Sequence, residues 1–191
     1  MSSEVVKKTL RDRRSPSVKE LVNVLYGGKR FGNHVDEVWP NLFLGDMSVA
    51  NDRYRLWKLG ISHVVNAAHG KPCCQGCHGF YGPSVDYYGV PAEDSPSFDL
   101  SRYFFPSADY IKKALDTAGV GVSRSASVIL AYLMIHQHHS LLEAILKVKE
   151  HRWIFPNSGF LKQLRTLDAK LQLPPECLSN RLFSNNNNTK Y

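Results

Sequence analysis

The chain has 191 residues, 43% of them hydrophobic and 21% charged, and a formal net charge of +7; that length suits one domain burying about 70% of its unfolded surface, and that composition excludes a disordered or fibrous chain. No apolar run approaches the ~20 residues of a membrane span, and "MSSEVVKKTLRDRR" offers no apolar stretch for a secretion signal. The 24 Lys and Arg residues are scattered and no nucleic-acid-binding motif accompanies them, so phosphorylated or acidic partners match the positive charge better than nucleic acid or a membrane does.

Residues 1–14 are charged and aperiodic, which predicts a tail. In "SPSVKELVNVLYGG", Ser17 and Glu20 form a capping box that predicts a helix, ended by Gly27 and Gly28. "VDEVWPNLFLGD" is β-rich, and Pro40 confines it to a sheet edge or a bend. Asp46 is placed to cap one helical stretch through "MSVANDRYRLWKL", closed by Gly60. The apolar run "ISHVVNAA" at 61–68 predicts a buried strand, and "SVDYYGVPA" at 84–92 the next one. "FDLSRYFFPSADYIKKAL" predicts a helix with Phe104, Ala108, Ile111 and Leu115 on one face. Three helices follow, over 123–138, over 140–152 behind a second capping box of Ser140 and Glu143, and over 157–172 behind Pro156. A polar tail closes the chain at 184–191. This order predicts a single α/β domain with a central, mostly parallel sheet flanked by helices. The bounds are 1–29 for an N-terminal tail and helix, 30–172 for the domain and 173–191 for a C-terminal tail.

Cys73, Cys74 and Cys77 crowd one short stretch and Cys177 stands apart. Reduced thiols and a cytoplasmic location, extending to the nucleus, are expected from that usage. "CCQGCH" also has the spacing of half a zinc site, through Cys74 and Cys77 with Cys73 and His78 adjacent, but no second Cys/His pair completes it. A loop with free thiols is the alternative. His63 and His69, flanking the 61–68 run, suit hydrogen-bonded structural roles, and "HQHH" at 136–139 suits a helix end, where the dipole favours histidine.

"DTAGVGVSRSAS" at 116–127 is a short loop running into a helix. Gly121, Val122, Ser123 and Arg124 are spaced as in a loop that wraps a phosphate at a helix N-terminus. Arg124 read alone is a surface residue, yet its charge opposes the helix dipole there, which favours an anion ligand. Together with "VDEVWPNLFLGD", "LGISHVVNAAHG", "YYGVPAEDSPSFDLSRYF", "GVSRSASVILAYLM" and "HRWIFPNSGFLKQLRTLD", this stretch resembles the atypical dual-specificity protein phosphatases over about residues 30–172.

The resemblance implies hydrolysis of phosphotyrosine, phosphoserine and phosphothreonine in proteins without metal or cofactor. A Cys thiolate attacks phosphorus, an Arg six residues later clamps the phosphate, an Asp on another loop protonates the leaving oxygen, and water releases the phosphocysteine. Carried over by position, Arg124 is the clamp, Ser125 the hydroxyl that stabilises the thiolate, Asp94 the general acid, and Gly121 to Arg124 the phosphate loop. Taken without the resemblance, Ser125 is a first-turn serine and Asp94, beside Glu93, a solvated loop charge. Asn157 either caps the last helix or, by resemblance, braces the phosphate loop. Phosphorylated proteins, kinases of the mitogen-activated type among them, are the implied partners.

The match breaks at its centre. Ala118 and Thr117 stand where the family has Cys and its preceding His, and none of the four cysteines has the spacing to replace that Cys. About eight residues are missing before the loop, a typical strand length. The sequence therefore predicts a sheet lacking its loop-delivering strand, at a cost of about 1.5–3 kcal/mol for each lost core side chain. The product is expected to be an inactive or non-catalytic phosphoprotein-binding form, or else a splice or gene-model variant with no stable fold.

Overall fold

A computed structural model describes residues 15–28, 30–70, 77–123 and 125–172. The first helix, α1 (Val18–Tyr26), starts at the expected capping box: the Glu20 N–H donates to Ser17 Oγ at 3.2 Å, and the Ser17 N–H donates to Glu20 Oε2 at 2.8 Å. Its apolar face, Leu21, Val24 and Leu25, is buried in the main core, so this helix is part of the folded unit and not an appendage before residue 30. Lys149 fastens its far end by donating to the carbonyls of Val24, Leu25 and Gly27, which the last turn of a helix leaves open.

Strands β1 (Val35–Trp39) and β2 (Leu42–Gly45) form a hairpin around Pro40 and Asn41, the latter with φ of 59°. The proline sits at the bend, and β1 is an edge strand, as its chemistry requires. The single helical stretch expected after Asp46 is instead two short helices, α2 (Met47–Ala50) and α3 (Arg53–Lys58). Asp52 divides them, because its carboxylate accepts the Arg55 N–H at 2.9 Å and starts a new helix. Then come β3 (Ile61–Asn66), α4 (His78–Tyr81), β4 (Asp86–Gly89) and α5 (Phe104–Leu115). The chain continues through β5 (Gly119–Ser123), α6 (Ala126–His136), α7 (Leu141–His151) and α8 (Ser158–Leu171).

The sheet has five strands in the order β1-β2-β5-β3-β4, antiparallel only between β1 and β2. No strand is missing from its centre, which corrects the expectation of a deleted strand. The segment expected to wrap a phosphate fills that place: Val120 pairs with Leu42 on one side and His63 on the other, and Gly121 with Phe43 and Val64. An empty central place would orphan the backbone groups of β2 and β3, at about 1–3 kcal/mol for each buried group. The residues that directly follow α5 are the nearest chain able to pair with both. As a consequence α6 begins at Ala126, not at 123.

Val120 and Val122 face the main core, packed with Phe104, Ala108 and Ile111 of α5 and with the largely apolar α6. On the opposite face α2, α3 and α4 cover a smaller core of Val49, Leu56, Ile61, Val64, Tyr81 and Tyr87. There β5 offers Gly119, Gly121 and Ser123, and an apolar hole of about 20 Å³ lies between Gly121, Ile61, Val64, Leu56 and Val49. No helix among the described residues is long and apolar enough to cross a membrane.

Candidate active site

The parallel strands β2, β3, β4 and β5 all end on one edge of the sheet, the edge at which open α/β sheets form their clefts. A cleft of about 520 Å³ lies there. Gly45 and Asp46 enter it from the end of β2, Ala67 and Ala68 from the end of β3, and Ala92, Glu93 and Asp94 from the loop after β4. Ser125, Ala126 and Ser127 bring the start of α6, and residues 152–157 close the far wall.

The loop bearing Asp94 is fixed to α8. Asn157 caps that helix by accepting the Phe160 N–H on Oδ1 at 2.9 Å, and its Nδ2 donates to Asp94 Oδ1 at 2.9 Å. One residue thus does two jobs, capping the helix and holding the Asp94 carboxylate. Gln163 adds two backbone contacts, donating to the Phe98 carbonyl and accepting the Leu100 N–H, both at 2.8 Å. Gly159 lets the two backbones meet, since a β-carbon there would stand 2.0 Å from the Pro96 carbonyl oxygen.

Ser125 is the N-cap of α6; its Oγ accepts the Val128 N–H at 3.3 Å, and the residue is 6% exposed. Gly121, Val122 and Ser123, expected around a phosphate, are strand residues buried inside the sheet, which corrects their placement in a loop. Arg124 lies outside the described residues, as do Cys73, Cys74 and Cys177. Cys77 is an exposed free thiol. His69 Nδ1 lies 2.8 Å from the Tyr87 hydroxyl, which also accepts from Asn66 Nδ2 at 3.0 Å. His63 Nδ1 lies 2.9 Å from Ser62 Oγ. His136 pairs with Asp109 at 2.9 Å. These histidines belong to the scaffold.

Two charged residues of the cleft escaped the sequence reading. Arg152 lines it, but its guanidinium is committed to Asp36 at 2.7 Å and to the Asn33 carbonyl. Burial on its own raises the Asp36 carboxyl; hydrogen bonds from Asn33 and Arg152, with the Arg152 charge, outweigh that and lower it. At Asp46 burial likewise raises the carboxyl, yet Ser48, His34 and the backbone N–H groups of Val49 and Ser48 bring it down to about 2. Asp46 therefore enters the cleft as a carboxylate. A sequence signal existed only for its capping role.

What the cleft can do follows from its contents. It presents carboxylates, apolar walls that include Trp153, Phe155 and Phe160, and the first turn of α6, but no cysteine lines it among the described residues. Its geometry can hold a side chain.

Residues 42–170 match the family model described as "Dual specificity phosphatase, catalytic domain". The chain is similar to human dual specificity protein phosphatase 26, at 50% identity over 168 residues, covering 82% of this chain and 77% of that protein. It is also similar to human dual specificity protein phosphatase 13B, at 52% identity over 148 residues, covering 73% and 75%. Among solved structures it resembles human tyrosine phosphatase-like serine/threonine/tyrosine-interacting protein, with a TM-score of 0.65 and 26% identity over 73% of this chain and 98% of that one.

Proposed function

The chain belongs to the dual specificity phosphatase family, and from that premise we propose that it is a non-catalytic member that binds phosphorylated proteins without hydrolysing them. The family acts on phosphorylated proteins, so the bound class follows from membership. Kinases of the mitogen-activated type are the phosphoproteins that the sequence resemblance adds.

The observation that carries this reading is the position of Ala118. It stands six residues before Arg124, where the family nucleophile belongs, but it precedes β5 and so lies at the sheet edge opposite the cleft. Five residues at ~3.3 Å each separate it from Ser123, about 16 Å of extended chain. The register of the motif survives in the sequence while its geometry does not. A second support is the interacting protein of similar fold, named as phosphatase-like. In this reading Arg124 and the first-turn N–H groups of α6 hold the anion weakly, with a Kd no tighter than about 1 mM, because the loop that would close around it is in the sheet.

Turnover of an aryl phosphate tests the proposal. The chain and its Ala118→Cys variant are both expected to match buffer, the variant because its thiol is remote from the cleft. A vanadate-sensitive rate that Arg124→Ala abolishes would overturn the reading. So would a phosphotyrosine peptide that leaves the amides of Ala126 and Ser127 unmoved at millimolar concentration.

A further inference from the structure

Away from the cleft, α3 displays the two most exposed large apolar side chains among the described residues, Trp57 at 73% and Tyr54 at 68%. They stand three residues apart on one face of the helix, with ring centroids 5.8 Å from each other, while Leu56 on the opposite face anchors the helix in the smaller core. Arg53, Arg55 and Lys58 belong to the same short helix, and no carboxylate among the described residues pairs with any of them. The nearest acid in sequence, Asp52, is occupied by the Arg55 N–H at 2.9 Å.

We propose that this aromatic and basic face of α3 is a docking surface for an acidic segment of a partner protein, one that lays an apolar side chain against the paired rings and its carboxylates on Arg53 and Lys58. The chemistry selects that occupant. Trp, Tyr and Arg dominate the energetics of protein interfaces, and a guanidinium takes a carboxylate through two parallel N–H donors. A lipid surface fits less well: α3 has six residues and exposes two rings with no aliphatic face beside them, whereas interfacial helices bury a long apolar face and even one acyl chain anchors only marginally. The surface is separate from the cleft, so it stands or falls independently of the proposed phosphoprotein binding.

The test uses the full chain with a fluorescein-labelled Glu/Leu peptide, a Lys/Leu peptide of equal length, and vesicles of phosphatidylcholine and phosphatidylserine. The acidic peptide is expected to shift the amide signals of Arg53–Lys58 and to bind less tightly as salt rises. Binding should weaken at least about tenfold in Trp57→Ala and in the double variant Arg53→Glu/Lys58→Glu. Both variants alter only exposed side chains, and unchanged cleft amide signals will show that they fold. The proposal is overturned if the acidic peptide does not bind, if it binds both variants as well as the parent, if the shifts map to the cleft, or if vesicles but not peptide engage Trp57.

Discussion

Two aspartates show how place sets the direction in which a carboxyl shifts. Asp46 has its carboxyl held down to about 2, so the stability it contributes is complete above its unfolded value of about 3.9 and is lost as pH falls toward 2. Asp168 is the opposite case. It is 2% exposed, and burial, with a smaller push from the Glu143 charge, raises its carboxyl despite hydrogen bonds from the Leu141 N–H, Gln172 and Ser15. A raised folded value means that its contribution is present below the unfolded value and is lost as pH rises through the folded one. Asp168→Asn keeps an Oδ1 that can accept the Leu141 N–H and removes the buried charge. It is expected to flatten the decline in stability as pH rises above about 4, read as urea midpoints at a series of pH values. Parallel curves for parent and variant would assign the decline to other groups. The sequence points to Asp94 and Ser125, because each sits in a short motif. It does not point to Asn157 as the holder of Asp94 or to Asp36 as the partner of Arg152, since those partners are 63 and 116 residues away.

At the scale of elements, most of the helices and strands are legible in capping boxes, turn residues and apolar spacing; the short α4, the break between α2 and α3, and β5 are the exceptions. "GVGVS" alternates glycine with valine, a pattern that serves a glycine-rich loop and a two-sided strand equally well. The choice is made by β2 and β3, whose inner edges need a partner, and no local window contains that demand. The two glycines of β5 differ in what they tolerate. A β-carbon at Gly121 would meet Ile61 Cγ2 at 3.2 Å, and Ile61 borders the apolar hole into which it can yield. One at Gly119 would stand 2.8 Å from the Gly60 carbonyl oxygen, which cannot move without the turn. Gly121→Ala is therefore expected to stabilise the protein by about 0.5–1 kcal/mol, and Gly119→Ala to destabilise it. Denaturant midpoints of the pair check this, and a destabilising Gly121→Ala would show that Ile61 cannot yield into the hole.

For the molecule as a whole, the same few residues cannot be both central strand and phosphate loop. An insertion of about eight residues ending in His-Cys, placed directly before Gly119, would supply a strand and move Gly119–Ser123 out to the cleft. The new Cys would then stand six residues before Arg124. The repaired chain is expected to gain aryl-phosphatase turnover together with a higher unfolding midpoint. A repaired chain that folds but stays inactive would remove the catalytic roles given to Asp94, Arg124 and Ser125. The fastening of α1 carries a consequence for synthesis on the ribosome. The carbonyl of Val24 waits for an ammonium 125 residues further along the chain. At ~5–20 residues per second that is roughly 6–25 s during which Leu21, Val24 and Leu25 face water without their bed on α7 and α8. The helix made first is among the last to dock, and through that interval its apolar stripe is open to chaperones.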